Sequence, residues 1–522
     1  MNKIFYPTLD LFVYQLGEGL GADKQNVQAN QGAFLNNFPS PEIKQKVEDA
    51  LRKSDLPKSG RFTFLLTDPN HCEIPNQFIN NYSVEQFYQP VISSDTYGLL
   101  FDSSIIPASQ SQPIESFQTL KNLVSHTQGN LGKTWLLSGY YPEGSEPENL
   151  AKEIFKIIRC DLTTPPGLSW EWEQKSTGDF LEGKFYWIRS LYPTKDSLTE
   201  RAFLIILYPE TQLDQKIPYP QTQLDEEFQQ VAGNFNQYWL ELFGYQNKIF
   251  WAQEQALSLK RELETGFIKI RNILAEIKLL ANHTKKDEDG QNQQLEDIEV
   301  ENVIAVKEIK AIIKNSAGTI ADYAINLSYL KIQLTTIETQ LQNHRLLIDH
   351  IETQAQPFGK TNLDGIREFN KVVENRYIKQ VEQDYASLRP GLEALENLLH
   401  PIQSLVDLEE GERDRRLENW IAVIGIGMGT ASIAASAMAN FVEKIRQPQT
   451  IETIPPSKSP TPSTPQTLPL SPWSNFWFAF LISIAIGSAF SLLTLISLPI
   501  VRSWSSLGKK LQPSKKSNIQ KE

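Results

Sequence analysis

The chain has 522 residues, 40% of them apolar, with a mean hydropathy of −0.35; that length exceeds what one hydrophobic core organises and points to about two to four structural units. Its net charge of −12 is unevenly placed: residues 420–522 carry nine Lys/Arg against three Asp/Glu, a surplus of +6, which leaves −18 on residues 1–419. So acidic a body excludes nucleic acid polymer as a general partner, because phosphate binding rests on Lys and Arg.

The N-terminus, "MNKIFYPTLDLFVYQLGEGLG", carries one early Lys, and Asp10 breaks its apolar run, so it makes a poor signal peptide. The segment "DLFVYQL" suits a helix as well as a strand. Gly17, Gly19 and Gly21 follow it with the spacing G-x-G-x-G, and a helix-ending turn is their expected use. From there to about residue 220, short β-rich runs ("RFTFLLTD", "YGLLFDS", "KTWLLSGYY", "KFYWIRSLY", "RAFLIILY") are separated by helical patterns such as "PEIKQKVEDALRK" and "PENLAKEIFKIIRC". Three of the runs end in Tyr-Pro, at Tyr141-Pro142, Tyr192-Pro193 and Tyr208-Pro209, where Pro stops the strand. Residues 1–220 therefore read as an α+β domain, a mixed sheet with helices packed on it.

Two pieces of this domain imitate active-site motifs. "TQGNLGKTW" contains Gly132-Lys133-Thr134, the end of a phosphate-binding loop. However, Thr127 stands where the first Gly is required, and "WLLSGYY" reads as a strand where a helix should begin. His71 and Cys72 suggest a thiol or metal pair, but nothing supplies the rest of either site. Cys72 and Cys160 are far apart and form no C-x-x-C, which offers neither a disulfide framework nor a zinc site. No catalytic residue, metal ligand or cofactor site emerges, and no enzyme activity is expected. A small-molecule or protein signal at this domain is expected without residues to name for it.

Residues 222–412 hold three long helical patterns. The first seam is Leu259, Leu263, Phe267, Ile270, Leu274, Ile277 and Ala281. A second runs Val306, Ile309, Ile313, Ala317, Ile320, Ala324, Leu327, Leu330, Leu334, Ile337 and Leu341. The third is Ile378, Val381, Tyr385, Leu388, Leu392, Leu395, Leu399 and Ile402. Sustained three-and-four spacing predicts coiled-coil packing. The breaks "HTKKDEDGQNQQ" and "QAQPFGKTNLDG" turn the chain, giving three antiparallel helices of about fifty residues, roughly 75 Å tall. Pro390 and Pro401 are expected to kink or break the third helix. His344 falls on the second seam as a packing residue.

Trp420–Phe441 and Trp473–Val501 are each long and apolar enough to cross a bilayer, and neither contains an ionisable residue. Arg413, Arg415 and Arg416 precede the first, and Arg502, Lys509, Lys510, Lys515, Lys516 and Lys521 follow the second. The positive-inside rule puts both flanks on the cytoplasmic side. The expected topology is a two-span hairpin in the cell membrane with a Pro-rich external loop over 442–472 and a basic cytoplasmic tail over 502–522. Gly427, Ala431, Ala435 and Ala439 recur every four residues, as do Ser483, Gly487 and Ser491, making smooth ridges for close helix packing. Ser432, Ser436 and Asn440 form a neighbouring polar stripe and are the pore-lining candidates.

This order of parts resembles the CorA-type divalent cation channels. Where that family carries Gly-Met-Asn at the outer end of its first span, this sequence has Ala437-Met438-Ala439-Asn440. The resemblance implies a homo-oligomer, a pentamer, in which the helical stalk continues into a pore-lining first span. Some branches of the family are thought to act as membrane effectors that respond to a nucleotide signal. The function expected is thus a non-enzymatic oligomeric channel or membrane effector controlled by its cytoplasmic domain. The competing expectation is a membrane-anchored coiled-coil sensor or scaffold that recruits partners without transport.

Overall fold

The computed structural model describes residues 2–17, 24–52, 62–66, 71–93, 95–159, 171–189, 200–218, 225–286 and 295–408. It is an α+β protein with a mixed sheet and long helices. In chain order the first elements are β1 (Lys3–Leu16), α1 (Lys24–Leu35), α2 (Pro41–Arg52), β2 (Thr63–Phe64), β3 (Cys72–Ile79), β4 (Tyr82–Ser93), β5 (Thr96–Ile106), β6 (Ser111–Pro113), α3 (Ser116–Val124) and β7 (Gly132–Tyr141). There follow α4 (Pro147–Arg159), β8 (Ser176–Phe180), β9 (Gly183–Arg189), β10 (Glu200–Pro209), β11 (Lys216–Pro218), β12 (Asp225–Glu227), α5 (Phe228–Asn234), α6 (Asn236–Lys286), α7 (Leu295–Ala355), α8 (Asp364–Val372) and α9 (Lys379–Leu408).

The main sheet runs β2-β4-β5-β1-β7-β10-β9-β8, with β3 added beside β4 and β6 beside β1. Among the described residues only β7 and β10 pair in parallel, with α4 and the β8–β9 hairpin intervening between them. β1 sits at the centre, so the ambiguous "DLFVYQL" is a strand and Gly17 follows a strand end; the expected helix-ending turn does not occur. A β-branched and aromatic run with Asp10, Phe12 and Tyr14 on one face and Leu9, Leu11 and Val13 on the other satisfies a two-sided sheet better than a single helical stripe. β3 and β4 are joined by Asn80-Asn81, both with positive φ (49° and 69°), the two-residue turn that Asn tolerates.

Each face of the sheet has its own core. On one, Leu9, Leu11, Phe101, Trp135, Leu137 and Phe203 meet α1 to α4 through Phe34, Phe117, Leu120, Ile154 and Phe155. On the other, Phe12, Tyr14, Leu136, Trp187 and Leu204 meet Trp239, Leu240 and Phe243 of α6, Ile348 and Ile351 of α7, and Ile366 of α8. The bases of the long helices are therefore the third layer of the sheet domain, and residues 225–234 belong to that layer as β12 and α5. The loop after α7 also extends the sheet: Asn362 and Asp179 exchange backbone hydrogen bonds of 2.8 and 3.1 Å, and Glu182 N–H donates to Lys360 C=O.

Beyond the sheet, α6 and α7 run antiparallel, as the paired positions Tyr238 with His350, Glu262 with Asn326 and Gly266 with Tyr323 establish. α9 runs parallel to α6, with Lys260 on Asp384 at 2.7 Å and Phe267 against Gly391. Where side chains are described the seams follow the predicted spacing; Ala281, Val306, Ala317, Leu395, Leu399 and Ile402 lie outside the described side chains. Leu263, Ile270, Ile277, Ile320, Leu327, Leu334, Leu341, Val381 and Leu388 are buried, and Leu259, Phe267, Leu274, Ile378, Tyr385 and Leu392 are partly so. α7 has 61 residues, which at 1.5 Å per residue makes it about 90 Å long.

Pro390 and Pro401 do not end the third helix, although neither has an N–H to donate within it, and a separate irregularity precedes them. α9 continues helically through both prolines, while a π turn occupies Val373–Ile378 between α8 and α9. A buried hydrogen bond braces the helix next to Pro390: the Tyr323 hydroxyl donates to Leu388 C=O at 2.6 Å. Tyr323→Phe removes that donor while leaving the ring in its groove. We expect a loss of about 1 kcal/mol in urea unfolding, the usual net worth of one such bond; a loss above about 3 kcal/mol would mean the hydroxyl organises the proline turn itself.

Candidate functional site

The second face of the sheet is not fully covered. Between β1, β4, β5, β7 and β10 below and α5 with the first turn of α6 above lies a cavity of about 840 Å³. Its floor follows from strand alternation. Thr8 and Asp10 of β1 point to the same side, Asp10 stands directly opposite Asp102 of β5, and Thr8 stands opposite Ser104. The Thr8 and Ser104 hydroxyls are 2.8 Å apart. Tyr6 has a positive φ of 45° at a register shift in β1, a bulge that also accommodates Pro7 in a central strand. Its hydroxyl donates to Glu85 Oε1 at 2.7 Å. Tyr140 and Tyr208 form an aromatic wall with ring centroids 5.5 Å apart, and Trp239 of α6 contributes to the roof.

The electrostatics of this floor are unusual for a protein interior. Asp10 and Asp102 are 2% and 8% exposed. Burial pushes the Asp10 carboxyl well above the usual carboxylate range, and the neighbouring Asp102 adds charge repulsion and a hydrogen bond in the same direction. Asp102 is pushed up to about 6, again chiefly by burial, with the Asp10 hydrogen bond opposing the shift and Glu85 adding to it. Burial and mutual repulsion oppose loss of both protons from the pair, and the hydrogen bond between them favours ionisation at Asp102. Asp10 Oδ1 is buried without a hydrogen-bond partner. Among the described residues the cavity lining carries Asp10, Asp102, Glu73 and Glu85, with His71 beside Glu73, but no Lys or Arg.

The chain's Asp10 was visible as the residue that breaks an apolar run. What the sequence does not supply is its partner: only the register of β1 on β5 brings Asp102 of "LLFDSS" opposite. A carboxylate on the inward face of each of two strands was the available signal.

The imitations of active-site motifs are structural. Gly132 opens β7 with φ of 134°, and a Cβ there would lie 2.3 Å from Asn247 Oδ1, so the Gly lets α6 approach. Thr134 Oγ1 accepts a hydrogen bond of 3.0 Å from Asn247 Nδ2, while Lys133 pairs with Glu200 at 3.0 Å and donates to Thr127 C=O. Cys72 starts β3, buried, its thiol pushed up by burial, and His71 lies 3.3 Å from Glu73. His344 is buried on the α7 seam, with Nδ1 2.7 Å from Asn370 Oδ1, and burial lowers its pKa to about 4. Among the described residues no group of three or more His, Cys, Asp and Glu is placed to hold a metal ion.

The pore-lining candidates Ser432, Ser436 and Asn440 lie outside the described residues. So do the packing candidates Gly427, Ala431, Ala435, Ala439, Ser483, Gly487 and Ser491, together with both apolar segments, the 442–472 loop and the 502–522 tail. Among the described residues no helix is long and apolar enough to cross a membrane. No protein-family model, curated protein or solved structure matches the chain.

Proposed function

We propose that the chain is a non-enzymatic membrane protein in which the sheet domain senses a small molecule and the long helices form a coiled-coil stalk that passes the signal to a CorA-like oligomeric hairpin of spans. One observation carries the sensing part: the cavity has the sheet as its floor and α5 with the start of α6 as its roof, so an occupant touches the sheet and the first stalk helix together. A ligand that binds one arrangement of floor and roof more tightly than another biases the stalk by that difference in affinity. The α7 and α8 bases share the same core, so movement at the roof has packed neighbours to act on. The effector part rests on the two apolar segments, their basic flanks and the Ser432, Ser436 and Asn440 stripe.

Full-length protein reconstituted in liposomes tests both parts. The expected result is an oligomer of defined mass whose ion flux falls with Ser436→Leu and changes with Asn440→Leu. Asp102→Asn in the cavity is expected to alter flux without altering that mass. Liposomes sealed to ions in every variant, or a monomer or dimer in detergent, would replace this proposal with a membrane-anchored scaffold.

A further inference from the structure

We propose that the cavity between the sheet and α5 is a binding site for a small organic cation with at least two ammonium groups, a ligand of the polyamine class. This rests on the sensing role above and names the chemistry of its signal.

Three independent features of the site lead to that class. The first is an unmet acceptor. Asp10 lines the cavity, and its Oδ1 is buried with no hydrogen-bond partner, a state that costs free energy until a donor reaches it. The second is charge: Asp10, Asp102, Glu73 and Glu85 line a space in which, among the described residues, His71, 3.3 Å from Glu73, is the one basic side chain and no Lys or Arg answers the others. Inorganic phosphate or a nucleotide would add negative charge to that set. A neutral polyol could donate to Oδ1 but would leave the carboxylate charge uncompensated. An ammonium supplies donors and charge together. The third feature is spacing. Glu85 pairs with Ser104, two residues along β5 from Asp102 and one strand over, which places the Asp102 and Glu85 backbone positions about 8 Å apart. That separation suits two ammonium groups joined by a short alkyl chain, with the Tyr140 and Tyr208 rings alongside the cavity to receive a cation or its methylenes.

The proton held by the Asp10–Asp102 pair gives the site a second signature. A bound ammonium favours the ionised pair, so binding expels the shared proton to solvent. The other titratable groups facing the pair are Tyr6, His71, Glu73, Glu85, Tyr140 and Tyr208. The tyrosines Tyr6, Tyr140 and Tyr208 are raised by burial and stay neutral, while α5 and the start of α6 present only amides and Trp239. Affinity should therefore weaken as pH falls through about 6, where Asp102 takes up its proton.

Calorimetric titration of the full-length chain in detergent with spermidine tests the inference. Saturable binding is expected at neutral pH, with an apparent enthalpy that changes between buffers of different ionisation enthalpy. Asp102→Asn should bind at least about tenfold more weakly, the consequence of losing one charged partner. Thermal melting of the same variant, expected no lower than that of the parent, shows that the weakening is not unfolding. Absence of spermidine binding, unchanged affinity in Asp102→Asn, or preference for inorganic phosphate or glycerol over spermidine each overturns the ligand class. Flux measured on the same preparations separates the two proposals. Spermidine that binds without changing flux leaves the site standing and removes its control of the spans; flux that responds to Asp102→Asn without spermidine binding does the reverse.

Discussion

Arg201→Met is expected to destabilise the sheet domain by about 3 kcal/mol, one of the largest effects of any single substitution outside the apolar cores. Arg201 lies on β10, and its guanidinium reaches across to α6, where Nη1 and Nη2 donate to Glu254 Oε1 and Oε2 at 2.5 and 2.9 Å. Nε donates to Leu131 C=O at 3.4 Å, and the Phe250 ring lies 5.8 Å from the guanidinium carbon. The side chains are 6% and 18% exposed, so Met in place of Arg leaves the Glu254 carboxylate half-buried and unpaired. Removing one partner of a buried pair costs about 3–5 kcal/mol, and the partial exposure of Glu254 favours the lower end. Arg201→Met with Glu254→Leu should recover much of that loss, because no orphaned charge remains. Urea unfolding followed by tryptophan fluorescence reads both, and a single-variant loss below about 1 kcal/mol would show the pair to be solvated in solution. The pair also joins sheet to stalk helix, so the same variant is expected to weaken any effect of the cavity on flux.

The long helices were legible because each seam repeats at three-and-four spacing over many turns. Ile320, Leu327, Leu334 and Leu341 are buried where the period puts them, and the breaks near Asp287 and Pro357 fall between helices. Pro390 loses one hydrogen bond yet does not end the helix, because its neighbours keep their packing: Val381, Leu388 and the Tyr323 hydroxyl hold the helix around it. The π turn at Val373–Ile378 leaves no mark in a period count. In the sheet, strongly apolar runs such as β7 and β10 were readable, whereas β3 and β4 were not. "CEIPNQFI" and "YSVEQFYQPVIS" mix amides and carboxylates into an alternating pattern, since one face of β4 borders the cavity. Asn80-Asn81 between them was the turn signal that marks the hairpin. The carboxylate pair was the least legible feature, because it exists only in the register of two strands some ninety residues apart in sequence.

That pair governs the last prediction: Asp102→Asn is expected to stabilise the protein at neutral pH by on the order of 2 kcal/mol and to weaken the loss of stability with rising pH on the acid side. In the folded chain Asp102 titrates near 6, against the ordinary model value of 3.8. Below that model value the carboxyl is protonated whether the chain is folded or not, and its contribution to stability is fully present. As pH rises through about 6 the unfolded chain has already ionised while the folded one resists, so the contribution is lost. Asn keeps a hydrogen-bonding partner for Asp10 without the charge and escapes that loss. His344 works in the opposite sense. Its folded pKa of about 4 lies below the model value of 6.5, so its contribution is present above that value and lost as pH falls through about 4. Between about pH 4 and 6 His344 opposes both raised carboxyls, Asp10 and Asp102, in the parent protein. With Asp102 replaced, Asp10, still raised by burial, is the carboxyl of the pair left to oppose His344, so the slope of stability against pH across that window should shift in the positive direction. Chemical unfolding at a series of pH values reads both the offset and the slope. A variant less stable than the parent at neutral pH would mean that the ionised pair is held by contacts worth more than its burial costs, and the cavity floor would then be a structural network. A gain in stability is the pattern expected of a carboxylate retained for binding at the expense of the fold.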